Sequence, residues 1–452
     1  MQLEKDTLGI LPAALRTLEE GFDSLPDLDA APPGQERMPE VMQQVATRLR
    51  DNYPYFHPMY AGQMLKPPHP IARAAYALAT WINPNNHALD GGRASSQMEK
   101  EAVAGIAAMF GWETHLGHLA AGGTMANLEA LWVAGRLDPG TRIVASAQAH
   151  YTHRRISGVL GLAFTEVPCD ALGRMDVRAL SDTLAQGRVG CVVATLGTTA
   201  TGSVDPLPEI LRLRDKYGFR LHVDAAYGGY FTLAGNLAEN ARAAFDLAGQ
   251  ANSLVVDPHK HGLQPYGCGC VLFRDPNVGA LYKHDSPYTY FTSTELHLGE
   301  ISLECSRPGA SAVALWATQK LLPLQRGGEF ARGLEACREA ALDLAGRLAG
   351  DARWLLPFPP ELDIVVCAPR AETAHDASQI SQRIFDSAAR RGLHLALARL
   401  PVRYFPALAT DSTRDHDTVL CLRSVLMKPE HREWVDKIWE VLGGAFEEAA
   451  RT

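Results

Sequence analysis

"LHVDAAYGGYF" (221–231) and "SLVVDPHKHGLQPYG" (253–267) are the stretches whose reading decides the fold. Each opens as a short apolar run and ends abruptly on charged or ring-bearing side chains: Asp224 in the first, His259 and Lys260 in the second. Strands apolar at consecutive positions are buried on both faces, as in a parallel sheet covered by helices. The carboxyl edge of such a sheet is where ligands bind. A carboxylate and a lysine at that edge, where water is scarce, each need an opposite charge or a chemical task.

The same pattern extends outward. "TRIVASA" (141–147), "CVVATLG" (191–197), "RLHVDAA" (220–226), "SLVVD" (253–257) and "GCVLFRD" (269–275) read as strands, with helical segments such as 205–217 and 240–248 between them. Upstream, the spacing predicts helices over 10–22, from Pro39 to Arg50, over 71–83 and over 96–110. "LPDLDAAPPGQ" (25–35) is a proline-broken linker, and 53–70 is extended. After 310–324 the pattern changes to a helix at 329–350, strands 362–369 and 417–427 flanking a helix at 375–391, and a last helix at 430–449. The expectation is an α/β chain with an N-terminal helical arm (1–55), a large domain (56–325) and a small α+β domain (326–452).

The bulk numbers exclude several classes. A net charge of −8 over 452 residues weighs against nucleic acid or an anionic membrane as partner. No apolar run approaches the ~20 residues of a membrane span. The N-terminus carries acids and lacks the pattern of a signal peptide, so the expected location is cytoplasmic. Eight cysteines are scattered; only Cys268 and Cys270 are close, and C-x-C is poor zinc spacing. Buried free thiols and no metal are expected.

Several positions carry candidate chemistry. Burial at a strand exit disfavours the charged form of Lys260 and frees its amine to attack a carbonyl; the plain alternative is a surface-loop lysine. Asp224 is a ligand carboxylate or a turn cap. "HLAAGGTMANLEALWVA" (118–134) puts Gly123 and Thr124 before a helix predicted from about Met125, and bare backbone N–H groups there hold anions. "SAQAHYTHRR" (146–155) sets His150 just past a strand, where an imidazole stacks on a flat ring or packs structurally. His150 and His153 lack the companions of a zinc site. "VVATLGTTATGSVDPL" (192–207) brings Thr199 into a hydroxyl-rich turn.

Taken in order, "GGTMANL", "AHYTHRR", "TLGTTATGSVD", "HVDAAYGGY" and "DPHK" resemble the group II pyridoxal-phosphate-dependent amino-acid decarboxylases, from about Phe56 to Trp316. The resemblance implies the aspartate-aminotransferase type of fold (fold type I), with a mostly parallel sheet flanked by helices. It also implies pyridoxal 5'-phosphate as cofactor and a homodimer with its active site near the subunit interface, segments around 55–68 and 285–308 coming from the neighbour. By that resemblance Lys260 is the Schiff-base lysine and Asp224 the partner of the pyridine nitrogen. His150 stacks on the ring, Ala226 packs on its other face, and Thr199 sits near the ring hydroxyl. Gly123, Thr124 and His259 match phosphate contacts, with Ser306 or Arg307 also near the phosphate.

A charged ring nitrogen makes such a ring an electron sink as CO₂ leaves. The proton returned to the α-carbon is implied to come from Tyr288 or Tyr290 in "YKHDSPYTYFTS" (282–293), or from His150. Gln63 and Met64 stand where the aromatic enzymes wall the substrate pocket with rings, and His87 and Ser95 are placed at its rim. The expected reaction turns an L-amino acid into its amine. Two rivals keep the cofactor: a carbon–carbon lyase of the sphingosine-phosphate lyase kind, and a decarboxylating aldehyde synthase, which retention of Tyr288 and Tyr290 disfavours. A non-catalytic protein keeping the fold has no need of Lys260, Asp224 and His150 together.

Overall fold

A computed structural model of the chain describes residues 8–26, 33–283, 296–408 and 416–451. Seven strands form the large sheet: β1 (Leu116–Ala120), β2 (Arg142–Ser146), β3 (Ala163–Val167), β4 (Val189–Thr195), β5 (Arg220–Asp224), β6 (Ser253–Val256) and β7 (Gly269–Phe273). Their order is β1-β7-β6-β5-β4-β2-β3. The strands from β3 to β6 pair in parallel, and β7 runs antiparallel to both β6 and β1. Every residue of β4, β6 and β7 is buried, as unbroken apolar runs require.

The register brings the functional edge level. Thr195 at the end of β4 lies opposite Asp224 at the end of β5, and Asp224 lies opposite Val255 of β6. Because β1 is antiparallel to β7, it runs with β6 and ends on the same side, where Ala120 faces Gly269.

The five expected strands are found with boundaries moved by one or two residues, four of them trimmed and β4 starting two residues earlier than expected. β1 and β3 were not expected. "LGHLA" has no β-branched residue, and β3 is an edge strand whose first four residues are exposed or half-buried, so neither reads as a core strand.

A second, antiparallel sheet has the order β10-β11-β9-β8, with β8 (Trp354–Leu355), β9 (Ile364–Pro369), β10 (Ala396–Pro401) and β11 (Thr418–Val425). Helices Glu329–Gly350, Ala374–Arg390 and His431–Ala449 pack with it. The extended stretch after Tyr53 is stitched into this part: the Ala61 N–H donates to the His394 carbonyl (2.8 Å), and the Ala61 carbonyl accepts from the Val425 N–H (2.7 Å). All eight cysteines are free, and all but Cys305 are buried. Among the described residues no helix is long and apolar enough to cross a membrane.

One buried polar joint fixes β1. Arg307 pairs with Glu99 (2.9 Å) and donates to the Leu119 carbonyl (2.7 Å). Glu99 also accepts from the Leu119 N–H (2.9 Å) and from Asn86. The Arg307 guanidinium is thus engaged inside this chain, by Glu99 and the Leu119 carbonyl. Nearby, the exposed Ser306 accepts from Asn85 (3.2 Å), and Ser95 bonds Asn86 in the same joint. Arg307→Ala strands the Glu99 carboxylate, and such one-sided removal costs about 3–5 kcal/mol. We expect a urea midpoint lowered accordingly, and an unchanged midpoint would contradict the role assigned to this pair.

Candidate active site

Gly123, Thr124, His150, Thr199, Asp224, Ala226, His259 and Lys260 all line one cavity of about 410 Å³. It sits at the carboxyl edge of the sheet. The ends of β1, β4, β5 and β6 and the loop after β2 each contribute to it. Residues that lie more than a hundred positions apart in the chain thus share one wall.

Asp224 is the electrostatic centre. It is 5% exposed, and its Oδ2 lies 2.8 Å from His153 Nε2 while its Oδ1 accepts from the Ala226 N–H (3.1 Å). Burial alone raises a carboxyl, but the His153 hydrogen bond and charge, with help from His222 and Lys260, outweigh it and hold Asp224 well below the usual carboxylate range. His222 is itself fixed, between Asn127 Oδ1 (2.7 Å) and Ser253 Oγ (2.8 Å), and burial pushes it down to about 3. His150, above the same edge, bonds Thr152 Oγ1 (2.8 Å); burial keeps its ring below the ordinary histidine value.

The floor is a helix start. Helix Gly123–Leu137 begins two residues before the expected Met125 and has no side-chain cap, so its first N–H groups are uncommitted by a side chain. A Cβ at Gly123 would lie 2.7 Å from an Asp257 carboxylate oxygen, and Gly122 holds φ at +155°. The cradle exists because both positions lack side chains.

Lys260 is not alone in an apolar pocket but meets an opposite charge. Its Nζ lies 2.9 Å from Asp257 Oδ2, with a fifth of the lysine side chain exposed. The other Asp257 oxygen is buried with no hydrogen-bond partner, an orphaned acceptor facing the site. His259 donates from Nδ1 to the Cys268 carbonyl (2.8 Å) and stands 3.6 Å from Asp257.

These groups fit pyridoxal phosphate. An ionised carboxylate suits a protonated ring nitrogen, an amine suits an aldehyde, and a bare helix start suits a phosphate.

Other expectations fare differently. Gln63, Met64, His87 and Ser95 do not line the cavity within this chain. Gln63 is exposed, and Met64 stands one layer out: its carbonyl accepts from Tyr266 (2.9 Å), whose ring packs 4.7 Å from His259. His87 Nε2 lies 3.9 Å from Cys305 Sγ. Tyr288 and Tyr290 lie outside the described residues.

Three neighbours of these groups were not assigned to the site by the sequence: His153, weighed there only as a zinc ligand, Asp257 and Arg423. Arg423, on β11, donates to the Thr199 (2.7 Å), Ala200 (3.1 Å) and Gly62 (3.3 Å) carbonyls and so clamps the Thr199 turn to the small sheet. For His153 and Asp257 a signal existed: each sits three residues from a singled-out group, His150 and Lys260.

A family model described as the pyridoxal-dependent decarboxylase conserved domain matches residues 133–367. An L-tyrosine decarboxylase of Enterococcus faecium is 29% identical over 73% of this chain and 70% of its own length. A probable L-tyrosine/L-aspartate decarboxylase of Methanothermobacter thermautotrophicus is 30% identical over 70% of this chain and 84% of its own. Among solved structures, mouse CSAD in apo form superimposes with a TM-score of 0.76 at 21% identity, covering 95% of this chain and 92% of that one. Oryza sativa TDC with PLP and tryptamine gives 0.78 at 18% identity, covering 99% of both.

The His153–Asp224 pair predicts an inverted pH response. In the parent, ionised Asp224 adds stability that is complete above the unfolded carboxyl value of about 4 and is lost as pH falls through its depressed folded value. In His153→Phe burial governs, so the folded value rises above the unfolded one and acidification from about pH 7 to about pH 5 now favours the folded state. The cofactor-free variant should therefore melt well below the parent at neutral pH and close the gap on acidification. A melting difference constant across that range would refute the pairing.

Proposed function

Because the chain belongs to the pyridoxal-dependent decarboxylase family, we propose that Lys260 is the tether of its cofactor and that the 410 Å³ cavity is where an L-amino acid is decarboxylated to its amine. The observation that carries this reading is Asp224 held ionised on one strand end while the Lys260 amine stands on the next, above a side-chain-free helix start. Bound there, pyridoxal phosphate supplies a cationic ring that takes up the electron pair freed as CO₂ departs.

The chain's own groups have separate tasks. Asp224, braced by His153, keeps a proton on the ring nitrogen. His150 covers one ring face and Ala226 the other. Gly123, Thr124 and His259 hold the phosphate, and Thr199, fixed by Arg423, meets the ring hydroxyl. Asp257 orients the Lys260 amine through its 2.9 Å contact. The acid that returns a proton to the α-carbon is Tyr288 or Tyr290, with His150 as the alternative donor.

The protein works as a cytoplasmic homodimer in this proposal. Helices Leu11–Glu20 and Met38–Leu49 bury no residue, yet they expose Met38, Val41, Met42, Val45 and Leu49. Such an unpartnered apolar face supports a second copy as its cover. The exposed Gln63 supports donation of the 55–68 segment, with Met64, to the neighbour's pocket. The substrate class is tyrosine or aspartate, the amino acids in the relatives' names.

Purified protein loaded with cofactor should release CO₂ and amine from at least one member of a panel of tyrosine, aspartate, glutamate, tryptophan and 2,4-diaminobutyrate. Aldehyde with ammonia in place of amine would select the aldehyde-synthase chemistry instead. Lys260→Ala should abolish turnover and the borohydride-sensitive absorption band while melting cooperatively. A variant that turns over undiminished overturns the assignment.

A further inference from the structure

A second cavity, of about 570 Å³, lies between the large and small sheets' domains and reaches the lysine turn through His261 and Leu263. Its interior is cationic. Lys428 is 3% exposed, and its Nζ makes one hydrogen bond, to the Tyr60 carbonyl (2.7 Å). Lys66 is half-buried and makes one, to the Met427 carbonyl (3.2 Å). An ammonium has three donors, so both groups hold donors in reserve. Neither has a carboxylate partner among the described residues.

The two charges oppose each other. Burial, and after it the charge of Lys66, pushes Lys428 down to about 7, against weaker support from Glu430 and Cys337. Glu329 and Glu430 also line the cavity, but both are exposed residues at its rim. Three helices start on its walls: Pro70–Thr80, Glu329–Gly350 and His431–Ala449, through Pro70, Glu329 and the cap residue Glu430. Their positive ends add to the field. At the inner end His261 is 1% exposed, 3.1 Å from Asp363, and its Nδ1 is buried with no hydrogen-bond partner.

We propose that this cavity binds a small organic polyanion, a di- or tricarboxylate or a phosphate ester, between Lys66 and Lys428. Two crowded lysines with no carboxylate partner lose a proton or take a ligand that brings the counter-charge, and an anion seated between them supplies it. The volume suits a metabolite and falls within the range of about 300–1,000 Å³ common to small-molecule sites. The bound anion reaches the first cavity by two routes. His261 is covalently next to Lys260, and Asp363 accepts a hydrogen bond from Tyr227, which lines the first cavity.

The test uses the cofactor-loaded enzyme, so that its phosphate cradle is already filled. Citrate and glycerol 3-phosphate are titrated calorimetrically at constant ionic strength in chloride. Saturable binding of at least one is expected, and the tighter of the two tells a carboxylate ligand from a phosphate one. Lys66→Gln and Lys428→Gln should each weaken it tenfold or more, while Arg212→Gln, on a distant exposed helix face, leaves it unchanged. Lys66→Gln alone decides the matter if the Lys428 variant does not fold. Absence of saturable binding by both probes, or equal affinity in Lys66→Gln and parent, overturns the proposal.

Discussion

Asp224 sits at the end of β5 with 5% of its surface exposed, where burial by itself favours a neutral carboxyl. His153, 71 residues earlier in the chain, reverses that preference through a 2.8 Å contact. Everything else at the edge is arranged around this ionised group. His222 supports it from within its own strand, fixed in turn by Asn127 and Ser253. The Ala226 N–H ties the carboxylate to the turn that follows. A carboxylate so restrained offers a fixed charge to whatever stands in the cavity, without the reorganisation that a solvated one requires.

The sheet supplies the alignment. Parallel pairing of β4, β5 and β6 delivers Thr195, Asp224 and Val255 in one row, so the residues just beyond them converge. The small sheet contributes at a distance. Arg423 reaches across to three carbonyls, including that of Thr199, so that a turn lining the cavity is positioned by a residue of the small sheet. A shift of one domain against the other is felt at the site through that guanidinium.

Lys260, Asp224 and His150 were legible because a charged or polar side chain ending an apolar run interrupts a periodic pattern. The ordered motifs then gave them a common purpose. Asp257 and Arg423 also interrupt apolar runs, but what they and His153 touch could not be read there: Arg423 and His153 act on partners tens to hundreds of residues away, and polar partners leave no periodicity. The same limit explains Ser95 and Arg307. Both are polar residues near the expected pocket, yet folding spends them on Asn86 and Glu99. β10 escaped notice because "ALARLP" is rich in leucine and alanine, which favour helix.

The reversed direction of β7 has its own effect on the lysine. The chain leaves the sheet after Val256 and re-enters at Gly269, and those two points are neighbours, since Val256 pairs with Cys270. The Cys268 carbonyl closes the base by accepting from the His259 N–H (3.1 Å). The segment bearing Lys260 is thus closed at its base and tied down beyond it: the Leu263 carbonyl accepts from the His69 N–H (2.9 Å), Gln264 donates to Thr318 (2.9 Å) and Tyr266 to the Met64 carbonyl (2.9 Å). A single-residue slip within β6 would turn every side chain of that strand to the wrong face. The loop that carries the lysine is therefore anchored both to the sheet behind it and to the segments around Met64 and Thr318 beside it.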